Sequence, residues 1–174
     1  MKKTKLNLGG FELLEGGGGS PPLEGFTNID VRNIAGVNIV HDIISLPMFE
    51  DESVDEIRVS HAIEHISPDK ITEALQEWHR ILKPNGILRI YCPDAYKLAQ
   101  DYVSGKIDCE KFSYQLFGAQ SYKEDLHRLA IDRTRLDKIV TDAGFEIIGR
   151  EPRPNAYPWD LGIQCKKISK NYPY

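Results

Sequence analysis

Apolar residues along the chain fall into short runs separated by polar turns, a pattern typical of an α/β protein. Apolar and polar residues alternate in Leu6-Asn7-Leu8 and a glycine pair follows, so a short buried strand is predicted to end before Gly9. Further strands are predicted at residues 26–30, 37–40, 56–60, 87–91, 145–148 and 163–168. Strands that alternate with helices in this way form a mainly parallel sheet.

The clearest helix is predicted between Asp69 and Pro84, where apolar residues recur at intervals of three and four and therefore share one face. These residues are Ile71, Leu75, Trp78 and Leu82. Two more helices are predicted at residues 95–104 and 134–143, the second closed by Gly144. Residues 105–128 carry several aromatic side chains without a clean period, which fits either a cover over a site or a packed connector.

The connections after the second and third predicted strands are short. About six residues, 31–36, precede the third strand, whereas a parallel crossover normally needs a dozen or more. The third strand is therefore either abbreviated or reached without a helix, and residues 43–55 are interpreted as a loop or one helical turn. Since 174 residues are expected to form one domain, residues 1–174 are predicted to form a single Rossmann-like α/β domain, a mainly parallel sheet flanked by helices.

Composition and charge narrow the function classes. The chain is 41% hydrophobic and 28% charged, as in ordinary soluble globular proteins, and carries a net charge of −4. This charge disfavours broad binding to nucleic acid or an anionic membrane, and no stretch approaches the length of a membrane span. The three cysteines are scattered without a C-x-x-C pair, which argues against a disulfide framework or a structural zinc site and favours a cytoplasmic location.

The first candidate chemistry lies at the glycine pair, Gly9-Gly10, and at Asp30. Glycine lets the backbone approach a ligand closely because it has no Cβ atom. Asp30 ends the second predicted strand 21 residues after Gly9, close to the spacing of about 20 residues at which a carboxylate meets ribose hydroxyls in α/β sites. The pattern suggests a nucleoside-bearing cofactor. Because the glycines do not spell G-x-G-x-x-G, an ordinary surface loop is the alternative.

As a set, several segments resemble the class I S-adenosylmethionine-dependent methyltransferases, more narrowly the small methyltransferase-like proteins of bacteria and phages. The matching segments follow the order of that family within residues 4–148; they are KLNLGG, GFTNID, VHDI, DESVDEIRVSHAIEHI, EWHRILKPNGILRIYCPD and DAGFEII. The resemblance implies a reduced class I methyltransferase fold, S-adenosylmethionine as the cofactor, and transfer of its methyl group to an acceptor.

The resemblance also implies which residues surround the cofactor. Asp30 matches the acidic residue on the ribose hydroxyls, where a carboxylate accepts strong hydrogen bonds. Asp42 matches the residue on the exocyclic amine of adenine, with Ile43 against the ring. The turn after the first strand matches the methionine portion, and the end of the fourth strand matches the carbonyl that receives the ammonium. The implied cofactor residues are Leu8, Gly9, Gly10, Asp30, Val31, Asp42, Ile43, Ser60, His61 and Ala62.

The sequence departs from the family at its first turn. Asn7 stands where an acidic residue is common, Phe11 replaces a glycine, and residues 12–24 take the place of the first helix. A helix N-terminus normally supplies backbone donors at such a site. A methyltransferase fold that has become a catalytically silent binding module is therefore the second hypothesis.

Residues 61–65 spell H-x-x-E-H, a motif that on a helix can hold zinc for hydrolysis. Here the motif directly follows a strand, Pro68 interrupts the presumed helix, and no third ligand stands out downstream. A zinc hydrolase is therefore only the third hypothesis, and no metal is expected. His61 and His65 remain candidates to line the acceptor pocket, because imidazole exchanges protons near neutral pH.

Asp94 and His127 complete the set of candidate catalytic residues. Asp94 follows the fifth strand and is either a base or the N-cap of the next helix. His127 either meets the acceptor or caps surface carbonyls. Methyl transfer depends mainly on holding the acceptor atom about 3 Å from the methyl group, and an oxygen acceptor must also lose a proton. The sequence thus predicts a methyltransferase for a small-molecule or glycan-type acceptor, of open oligomeric state, with His61, His65, Asp94 and His127 in the acceptor pocket.

Overall fold

The strands form one mainly parallel sheet, as the sequence predicts. The structure is a computed structural model that describes residues 3–9, 22–150 and 159–168. Within these residues the strands are β1 (Lys5–Leu8), β2 (Thr27–Asp30), β3 (Ile39–Val40), β4 (Val54–Ser60), β5 (Leu82–Pro93), β6 (Phe145–Gly149) and β7 (Asp160–Lys167). Their order is β3-β2-β1-β4-β5-β7-β6. The strands β1 to β5 pair in parallel, and β7 runs antiparallel to both of its neighbours.

The strand order places a topological switch next to β1. From β1 the chain moves outward through β2 to β3 and then returns to the other side of β1 as β4. In open parallel sheets, ligands bind outside the carboxyl ends of the strands at such a point. The ends of β1, β2 and β4 therefore mark where a site is expected.

Four α-helices lie in the described residues: α1 (Ile71–Ile81), α2 (Ala95–Val103), α3 (Cys109–Phe117) and α4 (Arg133–Asp142). The predictions of α1, α2 and α4 are confirmed within a few residues. The helix α3 was not predicted, because its aromatic residues stand among polar ones without a clean period, and it buries none of its residues. No helix joins β2 to β3 or β3 to β4, which agrees with the short connections there. None of the helices in the described part of the chain is long and apolar enough to cross a bilayer.

One boundary differs from the sequence prediction. Leu82 was expected to continue the apolar face of α1, but it begins β5 and pairs with Val54 of β4. The next register pair joins Glu56 to Ile87, so residues 83–86 bulge out of the ladder. Asn85 adopts a φ of 63° within this bulge. The Pro-Asn-Gly segment, predicted to end the helix, therefore lies within β5, and α1 ends before it at Ile81.

The core lies on one face of the sheet. Side chains at alternating positions of β4 and β5, such as Ile57, Val59 and Ile90, are fully buried, and α1 adds Trp78 to the same core. The intervening positions carry polar residues, because side chains alternate across a strand. Glu56, for example, pairs with Lys5 at 2.9 Å and with Arg89 at 3.1 Å. The sheet therefore has an apolar face and a face of partly buried ion pairs.

Candidate functional site

A cavity of about 260 Å³ opens at the carboxyl ends of β1, β2 and β4, beside the topological switch. Six of the predicted cofactor residues line this cavity: Gly9, Asp30, Val31, Asp42, Ile43 and Ala62. They come from four separate segments of the chain. The fold thus gathers residues that are up to 53 positions apart in the sequence, from Gly9 to Ala62, around one space.

Gly9 brings the backbone of the first turn against the end of β4. Its φ is +58°, a left-handed conformation that side chains other than glycine rarely adopt. Its amide donates to the carbonyl of Ile29 at 2.7 Å. A Cβ atom on residue 9 would lie only 2.8 Å from the Cβ atom of Ala62. Both the conformation and the close approach therefore require glycine here, whereas its pair Gly10 lies outside the described residues.

Asp30 presents a carboxylate at the end of β2, and a neighbouring arginine already holds it. Arg32 donates from its backbone amide at 2.9 Å and from Nε at 3.0 Å to Oδ1, and from Nη2 at 3.1 Å to Oδ2. The guanidinium also lies 4.4 Å above the ring of Tyr122. Burial tends to lower the pKa of Arg32, but the Asp30 carboxylate outweighs this effect and raises it. Arg32 therefore fixes the orientation of Asp30, an arrangement that the sequence analysis did not anticipate.

Asp42 and Ile43 lie on the loop after β3, which α1 holds in place. Oδ1 of the Asp42 carboxylate accepts from the amide of Ile44 at 2.9 Å. The carbonyl of Ile43 accepts from Nε1 of Trp78 at 2.8 Å. Further along, the amide of Leu46 donates to Glu77 at 2.7 Å. The connection between β3 and β4 contains no helix that could support this loop, so the support comes from α1.

Three other predicted cofactor residues contribute no lining side chain. Leu8 and Ser60 are completely buried at the ends of β1 and β4. His61 follows Ser60 with a φ of +51°, and its amide donates to the carbonyl of Tyr91 at 2.8 Å. This strained turn directs the imidazole of His61 away from the cavity.

His61 takes part in a buried ion cluster. Its Nε2 lies 3.2 Å from an oxygen of Asp160 in β7, and its Nδ1 lies 3.5 Å from an oxygen of Glu64. Burial tends to lower the pKa of His61, but the carboxylates of Asp160 and Glu64 outweigh it and raise the pKa to about 9. At neutral pH the ring is therefore already protonated. His61 joins β4 to β7 and is a poor candidate for a base, contrary to the role suggested by its sequence position.

The remaining candidate catalytic residues occupy different environments. His65 lines the cavity. His127 packs edge to face against His65 with the ring centroids 4.8 Å apart, and burial lowers the pKa of His127 despite the nearby Glu64 carboxylate. Asp94 caps α2, accepting from the amides of Tyr96 at 3.0 Å and Lys97 at 3.3 Å. The N-cap interpretation of Asp94 thus has direct support, and only His65 of the four candidates lines the cavity.

The cavity also has lining residues that the sequence analysis did not assign to it. Two groups supply them, the residues next to predicted positions and the aromatic segment between α3 and α4. These residues are Ile44, Ile66, Ser67, Tyr122, Glu124 and Arg128. For the second group, the available signal in the sequence was the set of aromatic residues without helical periodicity. Tyr122, Glu124 and Arg128 of this segment line the cavity, which supports its interpretation as a cover over a site.

Comparisons with known proteins point to one family. Residues 26–90 match the methyltransferase domain family, whereas no curated protein matches the sequence. Among solved structures, 1,6-didemethyltoxoflavin-N1-methyltransferase of Burkholderia thailandensis, with bound 1,6-didemethyltoxoflavin and S-adenosylhomocysteine, is similar with a TM-score of 0.64 at 14% identity, over 97% of this chain and 72% of that one. Because the sequence identity is only 14%, this similarity shows a shared fold and nothing more specific.

Two further structures are similar over nearly their whole length. An S-adenosylmethionine-dependent methyltransferase from Methanosarcina mazei has a TM-score of 0.63 at 18% identity, over 97% of this chain and 94% of that one. A putative S-adenosylmethionine-dependent methyltransferase from Listeria monocytogenes has a TM-score of 0.63 at 15% identity, over 97% of this chain and 91% of that one. The fold implied by the sequence resemblance is therefore confirmed.

Proposed function

We propose that the chain, whose residues 26–90 match the methyltransferase domain family and whose fold is similar to that of S-adenosylmethionine-dependent methyltransferases, transfers a methyl group from S-adenosylmethionine to a small acceptor. The observation that carries the proposal is the convergence of Gly9, Asp30 and Asp42 on one cavity at the strand ends. A close-approach glycine and two carboxylates in reach of one space match the needs of a nucleoside linked to an amino acid.

Each of these residues has a distinct part in holding the cofactor. Asp30, oriented by Arg32, accepts hydrogen bonds from the ribose hydroxyls. Asp42 accepts from the adenine amino group with the oxygen that does not hold Ile44, and Ile43 contacts the ring. The turn at Gly9, whose backbone packs directly against Ala62, borders the methionine portion. Bound S-adenosylmethionine supplies an electrophilic methyl group on its sulfonium.

The acceptor lies on the side of the cavity formed by the aromatic segment. His65, Tyr122, Glu124 and Arg128 provide hydrogen-bonding groups of both charges there, which suits a polar small molecule or a glycan-type acceptor. With an oxygen acceptor, His65 takes the proton as the methyl group is transferred. The 1,6-didemethyltoxoflavin bound in the similar Burkholderia thailandensis methyltransferase supports an acceptor of this size. We infer from composition that the protein acts in the cytoplasm.

Calorimetric titration with S-adenosylhomocysteine tests the proposal. The wild-type protein is expected to give saturable heat, and Asp30→Ala is expected to weaken binding at least about 100-fold. The reason is that two hydrogen bonds to a charged group are worth about 1.5–3 kcal/mol each. Equal affinity of Asp30→Ala and wild type would contradict the assigned role. No binding of wild type at millimolar ligand would favour the catalytically silent module instead.

Arg32→Ala is the matched control for this experiment. It breaks the same ion pair as Asp30→Ala but leaves the carboxylate in place. Its affinity for S-adenosylhomocysteine is expected to stay within about tenfold of wild type, because only the orientation of Asp30 is loosened. If both variants lose affinity equally, the ion pair and not the carboxylate determines binding.

A further inference from the structure

Three residues beside the cavity form a cluster that the proposed methyl transfer does not explain. Glu64, His65 and His127 each offer a ligand atom, and these atoms lie within 4.8 Å of one another. Glu64 and His65 belong to the short 3-10 turn after β4, and His127 follows 62 residues after His65. His127 is the third ligand that the sequence did not reveal, because only the fold brings it to the motif.

Backbone contacts hold the two segments of the cluster together. The carbonyl of Glu64 accepts from the amide of Arg128 at 2.8 Å and from the amide of Leu129 at 3.1 Å. The amide of His127 itself donates to the carbonyl of Phe117 at the end of α3. The relative position of Glu64 and His127 is therefore set by the main chain, so the arrangement exists before any ligand binds.

Three buried polar atoms in this cluster lack hydrogen-bond partners among the described residues. Glu64 is 2% exposed, and within the described residues neither of its carboxylate oxygens accepts a hydrogen bond; its nearest cation is the His61 ring at 3.5 Å. Nδ1 of His65 is likewise buried without a hydrogen-bond partner among those residues. Leaving such groups unpaired is costly, and each one in a native protein calls for an explanation.

The hydrogen bonding of His127 prepares it to act as a ligand. Its Nδ1 lies 3.0 Å from the carbonyl oxygen of Gln115. Because a carbonyl only accepts, Nδ1 carries the proton, and Nε2 of the neutral ring keeps its lone pair. Histidine ligands of metals typically donate their second ring N–H to such a carbonyl, which fixes both the tautomer and the ring orientation.

We propose that Glu64, His65 and His127 bind a divalent transition-metal ion, with Zn²⁺ the ion that fits best. Two imidazoles and one carboxylate are a ligand set that zinc accepts, with a fourth position left for water or substrate, whereas Mg²⁺ and Ca²⁺ prefer oxygen ligands alone. Ligands at about 2.0–2.1 Å from a tetrahedral zinc lie about 3.3 Å apart. The cluster must therefore contract by about 1.5 Å from its widest separation of 4.8 Å, a shift within the reach of side-chain rotation.

The location gives this ion a function beyond that of the cofactor site. His65 lines the cavity on the side assigned to the acceptor. Glu64 and His127 line a separate small pocket next to this cavity, so an ion held by all three residues lies between that pocket and the cavity. Because a neutral imidazole has one lone pair, the bound ion prevents His65 from taking the proton of an oxygen acceptor. Metal binding itself requires neither S-adenosylmethionine nor methyl transfer, so it can be tested independently of the proposed function.

Calorimetric titration of the chelator-treated protein with ZnCl₂ near pH 7.5 tests the proposal. Wild type is expected to bind one Zn²⁺ per chain, and Co²⁺ is expected to give visible absorption bands of low-coordinate cobalt. Glu64→Gln and His127→Gln are each expected to weaken Zn²⁺ binding at least about 100-fold, since even residues outside the ligand set alter metal affinity by 10–100-fold. MgCl₂ in place of ZnCl₂ is expected to give no saturable heat.

His41→Gln provides the control, because His41 lies outside the cluster and its Nδ1 lies 2.8 Å from the adjacent Asp42 carbonyl. This variant should bind Zn²⁺ like wild type. Circular dichroism checks that each variant is folded; His65→Gln, at a partly exposed position, replaces Glu64→Gln if the latter fails to fold. The proposal is overturned if wild type shows no saturable Zn²⁺ binding, if binding persists in the folded ligand variants, or if Mg²⁺ binds as tightly as Zn²⁺.

Discussion

Replacement of Trp78 by alanine is expected to lower the free energy of unfolding by about 4 kcal/mol, the typical cost of deleting a large core aromatic side chain. Trp78 is completely buried in α1, and its Nε1 holds the Ile43 carbonyl at 2.8 Å. The substitution therefore removes core packing and also the anchor of the loop that carries Asp42. For a chain of this length such a loss corresponds to a fall in melting temperature of about 8–16 °C, which differential scanning calorimetry measures.

A milder variant separates packing from anchoring. Trp78→Phe keeps most of the ring but leaves the buried Ile43 carbonyl without its donor, at an expected cost of about 1–3 kcal/mol. If the loop positions the adenine, as proposed, Trp78→Phe also weakens S-adenosylhomocysteine binding about tenfold. Trp159→Phe is the matched control. It also removes an indole hydrogen bond, the one of 3.2 Å from Trp159 Nε1 to Gln115, but this bond lies away from the loop that carries Asp42. Equal affinity losses in both variants would show that Trp78 has no specific role at the site.

Gly9→Ala is expected to lower the free energy of unfolding by at least about 2 kcal/mol and to abolish detectable S-adenosylhomocysteine binding. The left-handed backbone at φ +58° costs an alanine about 1–2 kcal/mol. The added Cβ atom also meets the Cβ atom of Ala62 at 2.8 Å, so the end of β1 or of β4 must shift. Because both ends border the cavity, that shift disturbs the ligand as well as the fold. Chemical denaturation and calorimetry measure the two effects.

Two further variants divide this effect into its causes. Ala62→Gly combined with Gly9→Ala removes the clash but keeps the strained conformation, and the next atom near the added Cβ, Cδ1 of Ile43, lies at an ordinary 3.8 Å. The double variant is therefore expected to recover about half of the lost stability. Gly105→Ala measures strain alone, because Gly105 has a φ of +73° and an added Cβ atom meets nothing within 4 Å. Additive effects of Gly9→Ala and Ala62→Gly would rule out the close contact as the cause.

The amino-acid sequence by itself determined the elements whose signal is local. Alternation in β1 and β4, the apolar stripe of α1 and the glycine and carboxylate at the ends of β1 and β2 are visible within a few residues of one another. The helix α3 was not predicted, since its aromatic residues stand among polar ones without a clean helical period. The short connection before β3 predicted that this strand is either abbreviated or reached without a helix, because chain length alone limits what a connection can form. Both alternatives hold, since β3 has two residues and no helix precedes it after β2.

Only the tertiary structure decided how distant residues meet. Trp78 on the Ile43 carbonyl and His127 beside His65 join positions whose separation in sequence carries no signal of contact. The same holds for His61, whose position at the end of β4 suggested the pocket, while a left-handed turn and the carboxylate of Asp160 from β7 direct it into the protein. Sequence periodicity reports which face of an element is buried. The chemistry of a side chain depends on its neighbours in space, and these are fixed only when the sheet is assembled.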